Sequence, residues 1–314
     1  MTKTASGGVG SSNFGLSGHG LGASGLTCLA AAKVNLALSI TGQRSDGYHL
    51  IDSLIGFAAI GDKVTVRAAE TLSVSVDGPF ASDVPTDDRN LALVSARALA
   101  DLTQVWSPTA HIQITKNLPV ASGLGGGSAD AAATVRLLAR FWQAERHLLE
   151  ACEAAGSDGP MCLVSETLRA RGIGEKLAPA PPLPKCAMVL VNPGISVSTA
   201  EIYGALTDRE RPALSAPQYS SLAELVSYLE HEENGLEAPA ISFAPAINDA
   251  LKALRSEDGC RFARMSGSGA TCFGLFDEQR HATAAANRLS AAHPAWWVVS
   301  TRFLRRQPTI QNAD

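Results

Sequence analysis

No stretch of this 314-residue chain is apolar for long enough to cross a bilayer. The longest runs, such as 187–191 (AMVLV), fall far short of the roughly 20 residues a spanning helix needs. Basic surplus is missing too: 26 Lys and Arg stand against 30 Asp and Glu, a formal net charge of −4. That balance argues against a nucleic-acid groove, and no block of like charge marks a tail partner. Six cysteines, at 28, 152, 162, 186, 260 and 272, form no C-x-x-C pair, and none joins a histidine at zinc spacing. Reduced, buried thiols in a cytoplasmic protein are the expectation. The N-terminus lacks a basic segment followed by an apolar one, so no secretory signal is read there.

What is present suits a globular protein. Hydrophobic residues make up 46% and charged residues 18%, ample for a core. The length fits two domains or one large one. Residues 5–27 (ASGGVGSSNFGLSGHGLGASGLT) are mostly Gly and Ser, so 1–27 is expected to be a mobile arm. Strands are expected over 30–42, 48–60, 62–68, 72–76 and 111–115. Helices are expected over 90–104, 129–142 and 143–155. The proline cluster 178–184 (APAPPLP) cannot sit inside an element and marks a boundary between domains 28–178 and 179–314. Beyond it come a strand at 187–191, helices at 199–206, 220–230 and 244–255, a strand–glycine turn–strand unit over 261–276, a helix at 278–291 and a strand at 296–303. The alternation suggests two α+β layers rather than a doubly wound parallel sheet.

The most informative segment is 117–133 (NLPVASGLGGGSADAAA), a glycine loop between an expected strand and an expected helix. The first turn of a helix leaves backbone N–H groups unpaired, at the positive end of its dipole. Glycine lets that backbone approach phosphate oxygens and accepts positive φ. Ser128 stands where an N-cap belongs. A Walker loop requires a lysine after the glycines, and none follows. A dinucleotide fingerprint requires glycine at 128. Taken alone, the loop leaves phosphate binding and a close-packing turn both open.

Three segments together resemble the GHMP small-molecule kinases. The loop Pro119–Ala129 is similar to that family's P-x-x-x-G-L-G-[GS]-[GS]-S-A; 31–38 (AAKVNLAL) resembles its N-terminal motif, and 263–274 (ARMSGSGATCFG) its C-terminal glycine motif. Further blocks, in the family's order, are KVNLALSITGQRSDGYH (33–49), GSDGPMCL (156–163), GIGEKL (172–177), VNPGISVSTAEIY (191–203) and NGLEAPA (234–240). They resemble the branch that uses ATP and Mg²⁺ to phosphorylate the 2-hydroxyl of a cytidine-diphosphate-linked methylerythritol, on the non-mevalonate route to isoprenoid precursors. The resemblance implies a two-domain fold: an N-terminal domain like ribosomal protein S5 domain 2, a C-terminal ferredoxin-like α/β sandwich, and the active site between them. It implies a small-molecule substrate, no nucleic-acid or membrane partner, and a monomer or weak homodimer.

Matched residue by residue, the resemblance makes Asp158 the carboxylate that accepts the hydroxyl proton and Lys33 the cation beside it. Residues Pro119, Val120, Ala121, Ser122, Gly123, Leu124, Gly125, Gly126, Gly127, Ser128 and Ala129 would hold ATP, with Ser128 as the candidate Mg²⁺ ligand. Tyr48 and Tyr203 would offer faces to the cytosine and His49 would read its edge. Asn35 and Thr199 would contact the polyol or diphosphate. The turn Ser266–Ala270 adds N–H groups near the phosphates, supports the first loop, or is a tight hairpin turn with no ligand contact. Two departures stand out. The catalytic block usually reads G-A-D-V-P, whereas Gly159 here follows Asp158; and the stretch from the glycine-loop helix to Asp158 is a few residues short. Another GHMP kinase, or a silent binding protein of the same fold, is the alternative reading.

Overall fold

The computed structural model describes residues 25–313. The chain opens with two long antiparallel strands, β1 (Leu26–Gln43) and β2 (His49–Arg67). Then come β3 (Leu72–Asp77), α1 (Leu91–Thr103), β4 (Ala110–Thr115), α2 (Gly126–Phe141), α3 (Leu148–Glu153) and α4 (Gly159–Val164). The hairpin β5 (Leu168–Gly172) and β6 (Lys176–Pro179) precedes the proline cluster. The second half runs β7 (Ala187–Asn192), α5 (Thr199–Gly204), α6 (Leu222–His231), α7 (Glu237–Phe243), α8 (Ala246–Ser256) and β8 (Cys260–Met265). It closes with β9 (Cys272–Phe276), α9 (Gln279–Ala292), β10 (Trp297–Arg302) and β11 (Gln311–Asn312).

Among the described residues there are two sheets. In the larger, β11-β1-β2-β4-β3 form the main path, with β5 also paired to β2. In the smaller the order is β10-β7-β9-β8, antiparallel throughout. Numbered within that half the order is 4-1-3-2, with helices between β7 and β8 and between β9 and β10, which is the ferredoxin-like arrangement expected.

β1 explains why its sequence reads as almost unbroken apolar residues. It passes through three buried clusters in turn: Cys28 and Ala30 against α2, Val34 and Leu36 in the layer between the sheets, Leu38 and Ile40 against the second half. A strand covered on both faces has no polar side to alternate with. α2 supplies much of the first cover. Its Ala129, Ala132 and Ala133 are buried, and such short side chains let the helix lie close on the sheet.

Several expectations change. The sequence leaves Gly61 between two strands, yet β2 runs straight through it. A Cβ at Gly61 would lie 1.9 Å from Ala30 O, so this glycine serves a close strand approach rather than a turn. The expected helix over 143–155 shrinks to α3, because Gln143 (φ 55°) and His147 (φ 56°) both adopt left-handed conformations. The expected arm falls outside the described residues except at its end: Leu26 and Thr27 are buried and pair with Val66 and Thr65. β5, β6, α4, α7 and β11 were not anticipated. β11 returns from the far end of the chain to pair with β1.

Two buried charge clusters tie the larger sheet together. Arg169 on β5 donates to both oxygens of Asp52 on β2, at 2.6 and 2.5 Å, and also to the Leu214 carbonyl. Lys116 Nζ donates to Asp62 Oδ2 and to Asp130 Oδ2, each at 2.6 Å. Asp62 Oδ1 accepts the N–H groups of Asn117 and Leu118, which fixes the start of the glycine loop.

Candidate active site

A cleft of about 1110 Å³ brings the glycine loop, Lys33, Asp158 and the second glycine turn together. β1 carries Lys33 beside a register shift between Ala31 and Lys33. Such a shift re-aims side chains locally. The Lys33 amide donates to Leu124 O at 2.9 Å, pinning the strand to the loop, and Lys33 Nζ donates to Asp158 Oδ2 at 2.6 Å. Lys33 is buried, whereas the Asp158 side chain keeps 33% exposure towards the cleft. The pair therefore presents a carboxylate to incoming substrate while burying its counter-charge.

Gly125 stands where all three parts converge. Its φ is +64°, and a Cβ there would lie 3.2 Å from Lys33 Cε and 3.5 Å from Asp158 Oδ2. Gly125, and not Ser128, is the N-cap of α2, with no side-chain cap. The left-handed turn at Gly125 starts the helix three residues earlier than the serine suggests, which frees the Ser128 side chain. Its hydroxyl lines the cleft in the first turn and has no hydrogen-bond partner among the described residues.

Within the loop the side chains divide. Ala121, Ser122 and Gly123 line the cleft, as do Gly125 to Ser128. Leu124 and Ala129 are buried in the apolar clusters instead. Pro119 and Val120 line a second pocket of about 210 Å³ with Pro85, Asn90 and Lys116, and Leu91, Ala121, Gly126 and Gly127 border both the cleft and this pocket. Asp130 also borders it; burial raises its carboxyl to about 8, Asp62 adding to the rise and Lys116 opposing it.

The second glycine turn braces the first. Ser266 Oγ donates to Gly123 O at 3.0 Å and accepts from Asn35 N at 3.1 Å, while Thr271 N donates to Ser122 O at 3.1 Å. A Cβ at Gly123 would lie 2.3 Å from Ser266 O. Gly267 and Ser268 also line the cleft, so the turn both supports the first loop and borders the site.

The remaining candidates surround the far side of the cleft. Tyr48 is 61% exposed at the mouth. His49 and Tyr203 rings pack against each other, centroids 4.9 Å apart and planes inclined by 34°. His49 Nε2 is buried without a partner, and burial, then the Arg209 charge, hold the imidazole below its ordinary value. Asn35 donates through Nδ2 to Ser53 Oγ at 2.8 Å, leaving its buried Oδ1 unpaired beside Gly267. Thr199 Oγ1 lies 2.8 Å from Ser268 Oγ. Arg209, which the motifs did not single out, lines the same wall and donates to Gln43 Oε1 at 3.0 Å. It follows no periodic pattern, so only the folded chain reveals it.

Among the described residues no group of three or more His, Cys, Asp and Glu side chains could hold a metal ion, and no helix is long and apolar enough to cross a membrane.

Comparison with known proteins agrees with this geometry. Residues 90–166 match the GHMP kinases N terminal domain, and residues 211–295 match GHMP kinases C terminal. A 4-diphosphocytidyl-2-C-methyl-D-erythritol kinase from Cereibacter sphaeroides is 49% identical over 277 residues, covering 87% of this chain and 98% of the relative. A protein of the same name from Ruegeria pomeroyi is 45% identical, with 89% and 99% covered. A crystal structure of 4-(cytidine 5'-diphospho)-2C-methyl-D-erythritol kinase superposes with a TM-score of 0.72 at 31% identity, covering 88% of this chain and 98% of that one.

Proposed function

This chain belongs to the GHMP kinases, in the branch of the 4-diphosphocytidyl-2-C-methyl-D-erythritol kinases, and from that premise we propose how its cleft works. It is an ATP-dependent small-molecule kinase that phosphorylates the 2-hydroxyl of 4-diphosphocytidyl-2-C-methyl-D-erythritol on the route to isoprenoids. The observation that carries the reading is the Lys33–Asp158 pair facing the N-terminus of α2 across Gly125.

Phosphoryl transfer asks the protein for aim and charge neutralisation more than for covalent chemistry. The backbone N–H groups of 125–128 and the positive end of α2 hold the triphosphate. The base of ATP takes the pocket of about 210 Å³ beside the loop, against Pro85, Leu91 and Val120. Asp158 accepts the proton of the 2-hydroxyl as its oxygen bonds to the γ-phosphorus. The bond from that phosphorus to the bridging oxygen breaks, and ADP leaves. Lys33 steadies the ionised carboxylate and the developing charge on the attacking oxygen.

A magnesium ion suits these residues. The Ser128 hydroxyl is unpaired and faces the cleft, and Mg²⁺ takes most of its ligands from phosphates and water. When bound there, it neutralises charge on the phosphate oxygens. At the other end Tyr48 and the His49–Tyr203 pair form an aromatic wall for cytosine. His49 Nε2 reads the base edge, Asn35 Oδ1 accepts from the polyol, and Arg209 faces the diphosphate.

The deciding assay follows ADP release with the cytidine substrate and with a panel of sugars and simple alcohols. Turnover confined to the cytidine compound is expected. Good turnover of another alcohol, and none of the cytidine compound, would overturn the substrate assignment.

A further inference from the structure

The glycine after Asp158 departs from the resembling motif, and its surroundings show why. Gly159 is buried at the first position of α4. A Cβ built on it would lie 2.0 Å from Cys152 O, 2.7 Å from Cys152 C and 3.3 Å from Cys152 Cβ. The two nearest atoms are backbone, so no side-chain rotation relieves the contact. Real Cβ atoms essentially never come within 3.0 Å of such atoms, so any side chain at 159 must part the two segments by about 1 Å. The φ of Gly159 is not left-handed, so the glycine answers a need for space and not for conformation.

The crowding comes from the turn that joins α3 to Asp158. α3 has six residues, entered through the left-handed His147. Its C-terminus then turns directly into α4: Ala155 N donates to Cys152 O at 3.1 Å, Gly156 N to Glu153 O at 2.9 Å, and Gly159 N to Gly156 O at 3.0 Å. This turn carries Asp158. It presses the Cys152 carbonyl of α3 towards the Cα that follows the carboxylate.

We infer that Gly159 is a positioning residue for Asp158. It is required because the turn from α3 into α4 seats the Cys152 carbonyl where a side chain at 159 would stand. A valine there, the residue of the usual motif, is excluded by this chain's own α3. The inference rests on Asp158 as the proton acceptor. Separating α3 from α4 by about 1 Å moves Asp158 relative to Lys33 and the γ-phosphate, and misplacement of that size costs on the order of 100-fold in rate.

The test compares Gly159→Val and Gly159→Ala with the parent for kcat, KM for ATP and melting. It adds a double variant, Gly159→Val with three residues (Gly-Ser-Gly) inserted after the exposed Glu145. The single variants are expected to lose about 100-fold in kcat while KM for ATP stays within about twofold, since the ATP loop is untouched. The insertion is expected to recover most of that loss, which a general packing defect would not show. Gly159→Val with kcat within about twofold of the parent overturns the inference. A double variant no more active or better folded than the single one overturns it too. Asp158→Asn, run in parallel, separates the two readings. If it keeps near-normal kcat, the assignment of Asp158 fails. If it is inactive while Gly159→Val is normal, only the positioning role fails.

Discussion

Lys33 Nζ donates to Asp158 Oδ2 at 2.6 Å although 125 positions separate the two in sequence. The same lysine's amide holds Leu124 O, so one residue joins the glycine loop to Asp158. Removing the Asp158 carboxylate leaves the Lys33–Leu124 backbone bond in place. Asp158→Asn is therefore expected to lower kcat by roughly 10²- to 10⁴-fold while ATP affinity stays near that of the parent. Steady-state kinetics with a separate nucleotide titration checks it; near-normal kcat would remove Asp158 from the reaction.

At the other end of the cleft, Tyr48 is exposed and makes no hydrogen bond to Lys33 or Asp158. Tyr48→Ala is expected to raise KM for the cytidine substrate about tenfold and to leave KM for ATP unchanged. That corresponds to the lower end of what stacking on one base contributes, ~1–3 kcal/mol. An unchanged KM for the cytidine substrate would take Tyr48 out of the base pocket.

The interlocked glycine turns make a third prediction. A methyl group at Gly123 would meet Ser266 O at 2.3 Å, on a backbone whose φ is +77°. Gly123→Ala is expected to raise KM for ATP, lower kcat, and lower the melting temperature, because it displaces the glycine loop from its brace. A variant with parental KM for ATP would show that the brace does not set the loop.

Stability should also depend on pH through Asp130. Burial raises its carboxyl from an ordinary 3.8 to about 8, so the folded state binds this proton more tightly than the unfolded chain. The associated stability is complete below the unfolded value and is lost as pH rises through about 8. Asp130→Asn keeps the group neutral and leaves Lys116 paired with Asp62. The melting temperature of the parent is expected to fall between about pH 4 and pH 8 more steeply than that of the variant. Parallel declines would show that Asp130 does not titrate in this range.

A buried pair offers a simpler measurement. Arg169→Leu would strand Asp52, whose side chain is 2% exposed, without its bidentate partner. Loss of one member of such a pair costs about 3–5 kcal/mol. Urea unfolding is the check, and a change below about 1 kcal/mol would show that water or Arg171 compensates.

Much of the fold was legible because it is written in short-range patterns. Alternation gave β3 and β4, helical spacing gave α1, and the glycine run gave the start of α2 to within three residues. Misreadings occurred where a glycine had two explanations. Gly61 resembles a turn residue and is a close-approach residue inside a strand; Gly125 looks like loop and is the helix cap. Lys116, Asp62 and Asp130 carry no motif that announces a buried cluster, since each is an ordinary charged residue until the sheet and α2 close over it.

By itself the sequence determined a strand–glycine loop–helix unit suited to phosphate, and, through resemblance, the kinase family and the residues that match its motifs. Periodicity and turn chemistry act over a few residues, which is why they can be read along the chain. The tertiary structure decided the rest. It seated Lys33 on Asp158, set His49 against Tyr203, and brought Arg209 to the cleft wall. It also pressed α3 against Gly159. Those contacts join segments whose meeting depends on how whole layers pack, and no local pattern carries that information.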